Sequence, residues 1–236
     1  MRGVFFAAIA GIALVWNSAS AQQAGSRDAA LVPGERIANL DKLKGELRQY
    51  HACTCTCGCY ARDLDMQADR AIAFLRQRAA HRGAKEKLAM VLDIDETTLS
   101  NYEEMVKVDF TYNAKAFNAW EDSAEAPAIP GTLRIYREAR RLGVSVFFLT
   151  GRPEAQRAAT ERNLRSQGFV GWQQLILRPH AQASATALAY KSEERATIET
   201  EGYRIVLNVG DQWSDLRGKP EAEYSVKYPD PFYFIK

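Results

Sequence analysis

The chain has almost no excess charge of either sign. Thirty-one Lys and Arg stand against 29 Asp and Glu, a formal charge of +2, so the basic footprint of a nucleic-acid polymer binder is missing. No apolar run is long enough to cross a bilayer: Gly3–Trp16 falls short of the roughly 20 residues that a spanning helix needs. Cysteine occurs only in the run His51-Ala-Cys-Thr-Cys-Thr-Cys-Gly-Cys59, far from the N-terminus, which excludes a lipid anchor on a new N-terminal Cys. Internal repeats and long low-complexity segments are absent too. With 47% hydrophobic and 25% charged residues, the 236-residue composition is that of an ordinary globular protein, one fairly large domain or two small ones.

The N-terminus sets an expected compartment. Arg2, the apolar stretch Gly3–Trp16 and the small residues Ala19-Ser20-Ala21 form the pattern of a secretory signal peptide over residues 1–21. The mature chain is expected to be periplasmic or secreted, with no membrane span left after cleavage. Residues 22–34, broken by Pro33-Gly34, read as a linker. Two helices are expected within 35–83. Ile37, Leu40, Leu43 and Leu47 recur at near-helical spacing, as do Leu64, Ala68, Ala71, Ile72 and Leu75, with Gly83 as a stop.

After Lys87 the pattern changes to short apolar runs separated by amphipathic stretches. Strands are predicted at Leu88–Ile94, Val144–Leu149, Leu175–Leu177 and Ile205–Val209, and helices at Leu133–Leu142 and Glu154–Gln167, closed by Gly143 and Gly168. Strands apolar on both faces and alternating with helices define an α/β fold, a Rossmann-like parallel sheet covered by helices on both sides. Ligands of such sheets bind beyond the carboxyl ends of the strands.

Chemistry-bearing residues stand at those ends. The first strand runs into Asp93-Ile-Asp95-Glu96-Thr97, three carboxylates that cannot all be ionised and buried cheaply. A hard divalent cation such as Mg²⁺ relieves that repulsion, and the plainer alternative is a polar loop capping the next helix. The fourth strand ends in Gly210-Asp211-Gln-Trp-Ser-Asp215, whose two aspartates share a face if a helical turn starts there. Thr150-Gly151-Arg152 after the second strand offers a hydroxyl, free backbone and a cation to an anion, helped by a helix opening at Pro153. Lys191 precedes a helix-like stretch, and its plainer reading is a solvated lysine.

Asp93-Ile-Asp-Glu-Thr97, Thr150, Lys191 and Gly210-Asp-Gln-Trp-Ser-Asp215 together resemble the four motifs of the haloacid dehalogenase-like superfamily of phosphohydrolases. Val91–Tyr102, Phe147–Arg152 and the ending Tyr228-Pro-Asp-Pro-Phe-Tyr233 narrow the resemblance to exported acid phosphatases of the class B and class C kind and the related plant vegetative storage proteins. Trp213 departs from the class C pattern, and the Cys run has no counterpart in it. The resemblance implies a phosphatase domain over 35–236 with a small, mainly helical cap at about 102–127. It implies a phosphoric monoester hydrolase acting on small phosphomonoesters, with nucleotides as one candidate class and homo-oligomerisation left open. Asp93 becomes the nucleophile and Asp95 the general acid and base. Thr150, Gly151 and Lys191 bind the phosphoryl group, and Asp93, Asp95 (through its carbonyl), Asp211 and Asp215 hold Mg²⁺.

The cap carries Phe110, Tyr112, Phe117 and Trp120. Tyr112, Trp120 and Arg152 are candidates for the substrate rim, although Phe117 and Trp120, three apart on a helix, also suit a cap core. Two readings compete with an enzyme: a non-catalytic storage protein on the same fold, and a metal-binding module built on the Cys run. For Cys53, Cys55, Cys57 and Cys59 the expectation is two local disulfides, against a thiolate site for Zn²⁺ or Cu(I) completed by His51.

Overall fold

The computed structural model describes residues 37–55 and 59–235, so the expected signal peptide, linker and Cys57 lie outside the described residues. The chain divides into two units, Met1–Leu43 and Lys44–Lys236. In the first, Asn39 caps the start of α1 (Leu40–Ala52), its Oδ1 accepting the N–H groups of Asp41 and Lys42 at 3.0 and 3.3 Å. The second unit carries the sheet and its helices.

Five parallel strands, β1 (Lys87–Leu92), β2 (Ser145–Pro153), β3 (Gln174–Arg178), β4 (Tyr203–Gly210) and β5 (Tyr224–Lys227), lie in the order β3-β2-β1-β4-β5. The sequence pattern supplies the first four. β5 has four residues and buries only Val226, too little apolar signal to be read as a strand. Successive side chains alternate between faces. Leu88, Met90, Leu92, Val146 and Phe148 form one core with α2 (Tyr60–Ala80), while Ala89, Val91, Phe147 and Leu149 form the other. The first core also takes in α5 (Pro130–Arg141) and α6 (Arg157–Ser166), through Ile135 and Leu164. α7 (Ala187–Thr200) covers the second with Tyr190 and Ile198. Burial on both faces is why these strands read as continuous apolar runs, each large side chain contributing about 1.5–3 kcal/mol.

Two helix starts differ from the expectation. α5 begins at Pro130 rather than Leu133, because proline fits the first helical position, where its missing N–H has no partner to lose. α6 begins at Arg157. β2 continues through Pro153, and Glu154–Gln156 make a 3-10 turn before the α-helix opens, so no α-helix N-terminus stands at Pro153. Gly143 and Gly168 close α5 and α6 with φ of 67° and 89°, a left-handed conformation that glycine adopts without a Cβ penalty.

Between β1 and α5, residues 102–127 contain α3 (Tyr102–Lys107) and α4 (Ala114–Ser123), the latter capped by Asn113, whose Oδ1 accepts the Ala116 N–H at 3.0 Å. Within this unit α1 holds the α3–α4 connection: Lys44 and Arg48 each reach Asp109 at 2.5 Å, and His51 stacks on Tyr102 with ring centroids 3.3 Å apart.

A disulfide joins Cys53 to Cys59 across the α1–α2 connection. It spans the run instead of joining near neighbours; Cys55 is disulfide-bonded as well, so no described cysteine is a thiolate available to a metal. Cys55 Sγ lies 3.0 Å from Cys53 Sγ and 3.6 Å from Cys59 Sγ. The bridged residues are six apart in sequence, so replacing both with Ser is expected to lower stability by about 2 kcal/mol in urea unfolding, with turnover retained.

Candidate active site

β1 is flanked by β2 and β4, so the residues following these three strands meet at one edge. The Asp93 N–H continues the ladder to the Val209 carbonyl at 3.1 Å, which sets the start of the Asp93 segment beside Gly210-Asp211. A tight turn follows. The Thr98 hydroxyl donates to the Asp93 carbonyl at 2.5 Å, and Glu96 takes a left-handed φ of 53°. Asn101 holds that strained residue, donating from its backbone N–H and its Nδ2 to the Glu96 carboxyl at 2.5 and 3.0 Å.

Lys191 lies inside α7 and is buried, so the solvated-lysine alternative is excluded. Its Nζ donates to Asp93 Oδ1 at 2.5 Å and to Asp215 Oδ1 at 2.6 Å. Burial works against the ammonium, but Asp215 and Asp93 more than offset it and hold the amine protonated. Asp215 sits in the short helix α8 (Trp213–Leu216), and its Oδ2 accepts the Gln212 N–H at 2.8 Å, so the expected turn does bring Asp211 and Asp215 together. Carboxylate oxygens of Asp93, Asp211 and Asp215, all three buried, lie within 4.8 Å of one another. Burial, then the charges of Asp215, Asp93 and Asp230, push the Asp211 carboxyl well above its ordinary range. Burial likewise raises Asp93 to about 7, against the pull of Lys191. One lysine therefore leaves the cluster short of positive charge, and its donors are hard oxygens, a set that fits a divalent cation.

Asp95 is held separately. Arg152 Nη2 and Nε donate to its Oδ1 at 2.6 and 3.1 Å, and Asn101 Nδ2 donates to the same oxygen at 2.9 Å. Burial opposes ionisation, yet Arg152 and Asn101 outweigh it and keep the carboxyl below its ordinary range. Thr150 is fully buried, its Oγ1 at 3.5 Å from Asp95 Oδ2 and accepting the Arg152 N–H at 3.1 Å. Exposed Gly151, not Thr150, lines the cavity above.

That cavity is about 530 Å³ and is walled by Asp93, Asp95, Lys191 and Asp211 below and by cap residues Met105, Phe110, Tyr112 and Phe117 above. Of the rim candidates, Tyr112 is 79% exposed and lines it. Trp120 is corrected: it is only 7% exposed, and its Nε1 donates to Asn101 Oδ1 at 2.9 Å, so it packs as cap core and braces the Asp95 holder. Arg152 is corrected as well. It is buried in the floor, where Asp95 captures it, rather than standing on the rim.

Sequence reasoning missed Asn101, Glu121 and Gln212. Glu121 comes from α4, 3.6 Å from Arg152 Nε, and burial followed by the Asp95 charge raises its pKa to about 7. Gln212 Nε2 donates at 2.7 Å to both Asp211 and Asp230. Asn101 and Gln212 stand inside the strings that carry the family resemblance and could have been flagged there. Nothing local marks Glu121 among the other cap acids.

Acidic groups after neighbouring parallel strands, with a buried lysine between two of them, define the haloacid dehalogenase-like class. The chain belongs to HAD superfamily, subfamily IIIB (acid phosphatase), whose model matches residues 14–236, and membership places it among the phosphomonoester hydrolases. It is 38% identical over 179 residues to Acid phosphatase 1 of Solanum lycopersicum, an alignment covering 75% of this chain and 69% of that protein. Vegetative storage protein 1 of Arabidopsis thaliana is 33% identical over 149 residues, 61% of this chain and 54% of that one. A class C acid phosphatase from Bacillus anthracis, solved with tungstate bound, shares the fold with a TM-score of 0.67 at 22% identity, over 83% of this chain and 86% of that one.

Proposed function

We propose that the chain is an exported, Mg²⁺-dependent acid phosphatase that hydrolyses small phosphomonoesters through an aspartyl-phosphate on Asp93. The observation that carries this reading is the Asp93–Lys191–Asp215 contact beneath an open cavity, with a second carboxyl, Asp95, held apart by its own arginine. The signal-like residues 1–21 support export.

Asp93, the Asp95 carbonyl and Asp211 would hold Mg²⁺, with Asp215 beside them. Bound there, Mg²⁺ would offset the repulsion between carboxylates and a phosphate dianion and polarise a phosphoryl oxygen. The Asp93 carboxylate attacks phosphorus as the bond to the leaving oxygen breaks, and Asp95, once it has taken up a proton, gives it to that oxygen. Asp95 then takes a proton from the water that releases phosphate. Lys191 and the Gly151 backbone stabilise charge on the phosphoryl oxygens, and Arg152 and Asn101 fix the Asp95 carboxyl. Tyr112, beside Phe117 with ring centroids 5.8 Å apart, offers an aromatic edge to a phenyl or nucleobase leaving group.

Exhaustive chelation is expected to abolish turnover of nitrophenyl phosphate, and added Mg²⁺ to restore it. Full activity after chelation would defeat the metal assignment. Asp95→Asn is expected to slow alkyl phosphates by about 10²–10⁴-fold and nitrophenyl phosphate much less, because only the alkoxide needs a proton to leave. Equal losses in rapid-quench measurements of the first chemical step would remove Asp95 from the general-acid role.

A further inference from the structure

Three cations line the cavity floor and wall, and two of them are already engaged: Lys191 lies between Asp93 and Asp215, and Arg152 is held by Asp95 with Glu121 close by. The third is Arg178, the last residue of β3. Its Nε and Nη2 are buried without a hydrogen-bond partner, and within the described residues no ion pair engages it. A guanidinium with two desolvated, unpaired donors is costly unless an anion completes it. Its plane instead rests on Tyr190, the CZ atom 4.9 Å from the ring centroid, which fixes the side chain against the wall. α7 opens beside it at Ala187, also on the cavity wall, so the positive end of a 14-residue helix adds to the same field.

We propose that Arg178 anchors a second anionic group carried by the substrate's leaving group, a phosphate or a carboxylate. This deepens the phosphatase reading above and rests on it. The sheet order places β3 two strand spacings from β1, roughly 9–10 Å. An anion at Arg178 is therefore distinct from the phosphoryl group above Asp93, a few bonds further along the same molecule. The preferred substrates are phosphomonoesters with a second anionic group, over esters with a neutral leaving group.

The test compares nitrophenyl phosphate, carboxyphenyl phosphate and a nucleoside bisphosphate on the full chain, the last two distinguishing a carboxylate from a phosphate as the second anion. The parent is expected to favour at least one doubly anionic ester through KM. Arg178→Gln is expected to raise KM for that ester relative to nitrophenyl phosphate by about tenfold or more, and Arg178→Lys to keep part of the preference. Calorimetric binding of the bisphosphate and of nitrophenyl phosphate to an Asp93→Asn background, with and without Arg178→Gln, reads the same preference without turnover. If the parent hydrolyses none of the esters, the phosphatase reading fails while this binding comparison still decides the role of Arg178. Equal losses on all esters, or a parent with no preference in either KM or binding, would overturn the proposal. The parent preference and Arg178→Lys keep the test decisive should Arg178→Gln not fold.

Discussion

Replacing Asp93 with Asn is expected to reduce phosphate release by about 10⁴-fold or more while leaving the fold intact. The amide is nearly isosteric with the carboxylate, and the Lys191 Nζ that donates to Asp93 Oδ1 keeps its second acceptor, Asp215. What is lost is the nucleophile, and the neighbouring carboxylates are held by other partners: Asp95 by Arg152, Asp215 by Lys191 and the Gln212 N–H, and Asp211 by the Thr97 hydroxyl and Gln212 Nε2. Folding is checked by circular dichroism and urea unfolding, and phosphate release by a coupled assay. A correctly folded Asp93→Asn protein that keeps a tenth or so of parental turnover would make Asp93 dispensable, against the double-displacement scheme.

Lys191→Met is expected to cost about 3–5 kcal/mol of stability in the chelated protein and to remove most turnover. Lys191 is buried among Asp93 and Asp215, which are buried too, and burial already drives Asp93 up to about 7 with the ammonium present. Removing the cation leaves those carboxylates to repel each other or to take up protons, and methionine restores volume without charge. Urea unfolding of parent and variant in chelator measures the difference. A loss under about 1 kcal/mol would mean that the lysine is not what neutralises the acidic pair.

The strand ends were legible because a fully apolar run that stops abruptly at Asp93, Thr150 or Asp211 leaves the polar residue nowhere to go but the sheet edge. That β4 pairs with β1, and so brings Asp211 to Asp93, follows from the sheet order and is not encoded in either segment alone. Lys191 shows the limit of local reading. Its neighbours have the pattern of a helix, yet which side of α7 meets the sheet is settled by Tyr190 and Ile198 packing on Val91 and Leu149. Trp120 was ambiguous for the same reason, since rim and core share one helical spacing until Asn101 accepts its N–H. β5 and Arg178 were invisible, the strand because it is short and half-exposed, the arginine because the burial of its donors without a partner arises only in the packed fold.

The stereochemical course at phosphorus tests the double displacement most directly. An isotopically chiral phosphomonoester is turned over with a simple alcohol as acceptor, and the configuration of the phosphoryl group in the product ester is read. Attack by Asp93 followed by attack of the acceptor inverts phosphorus twice, so the product is expected to show net retention. Net inversion would mean a single direct displacement, and an aspartyl-phosphate on Asp93 would be contradicted.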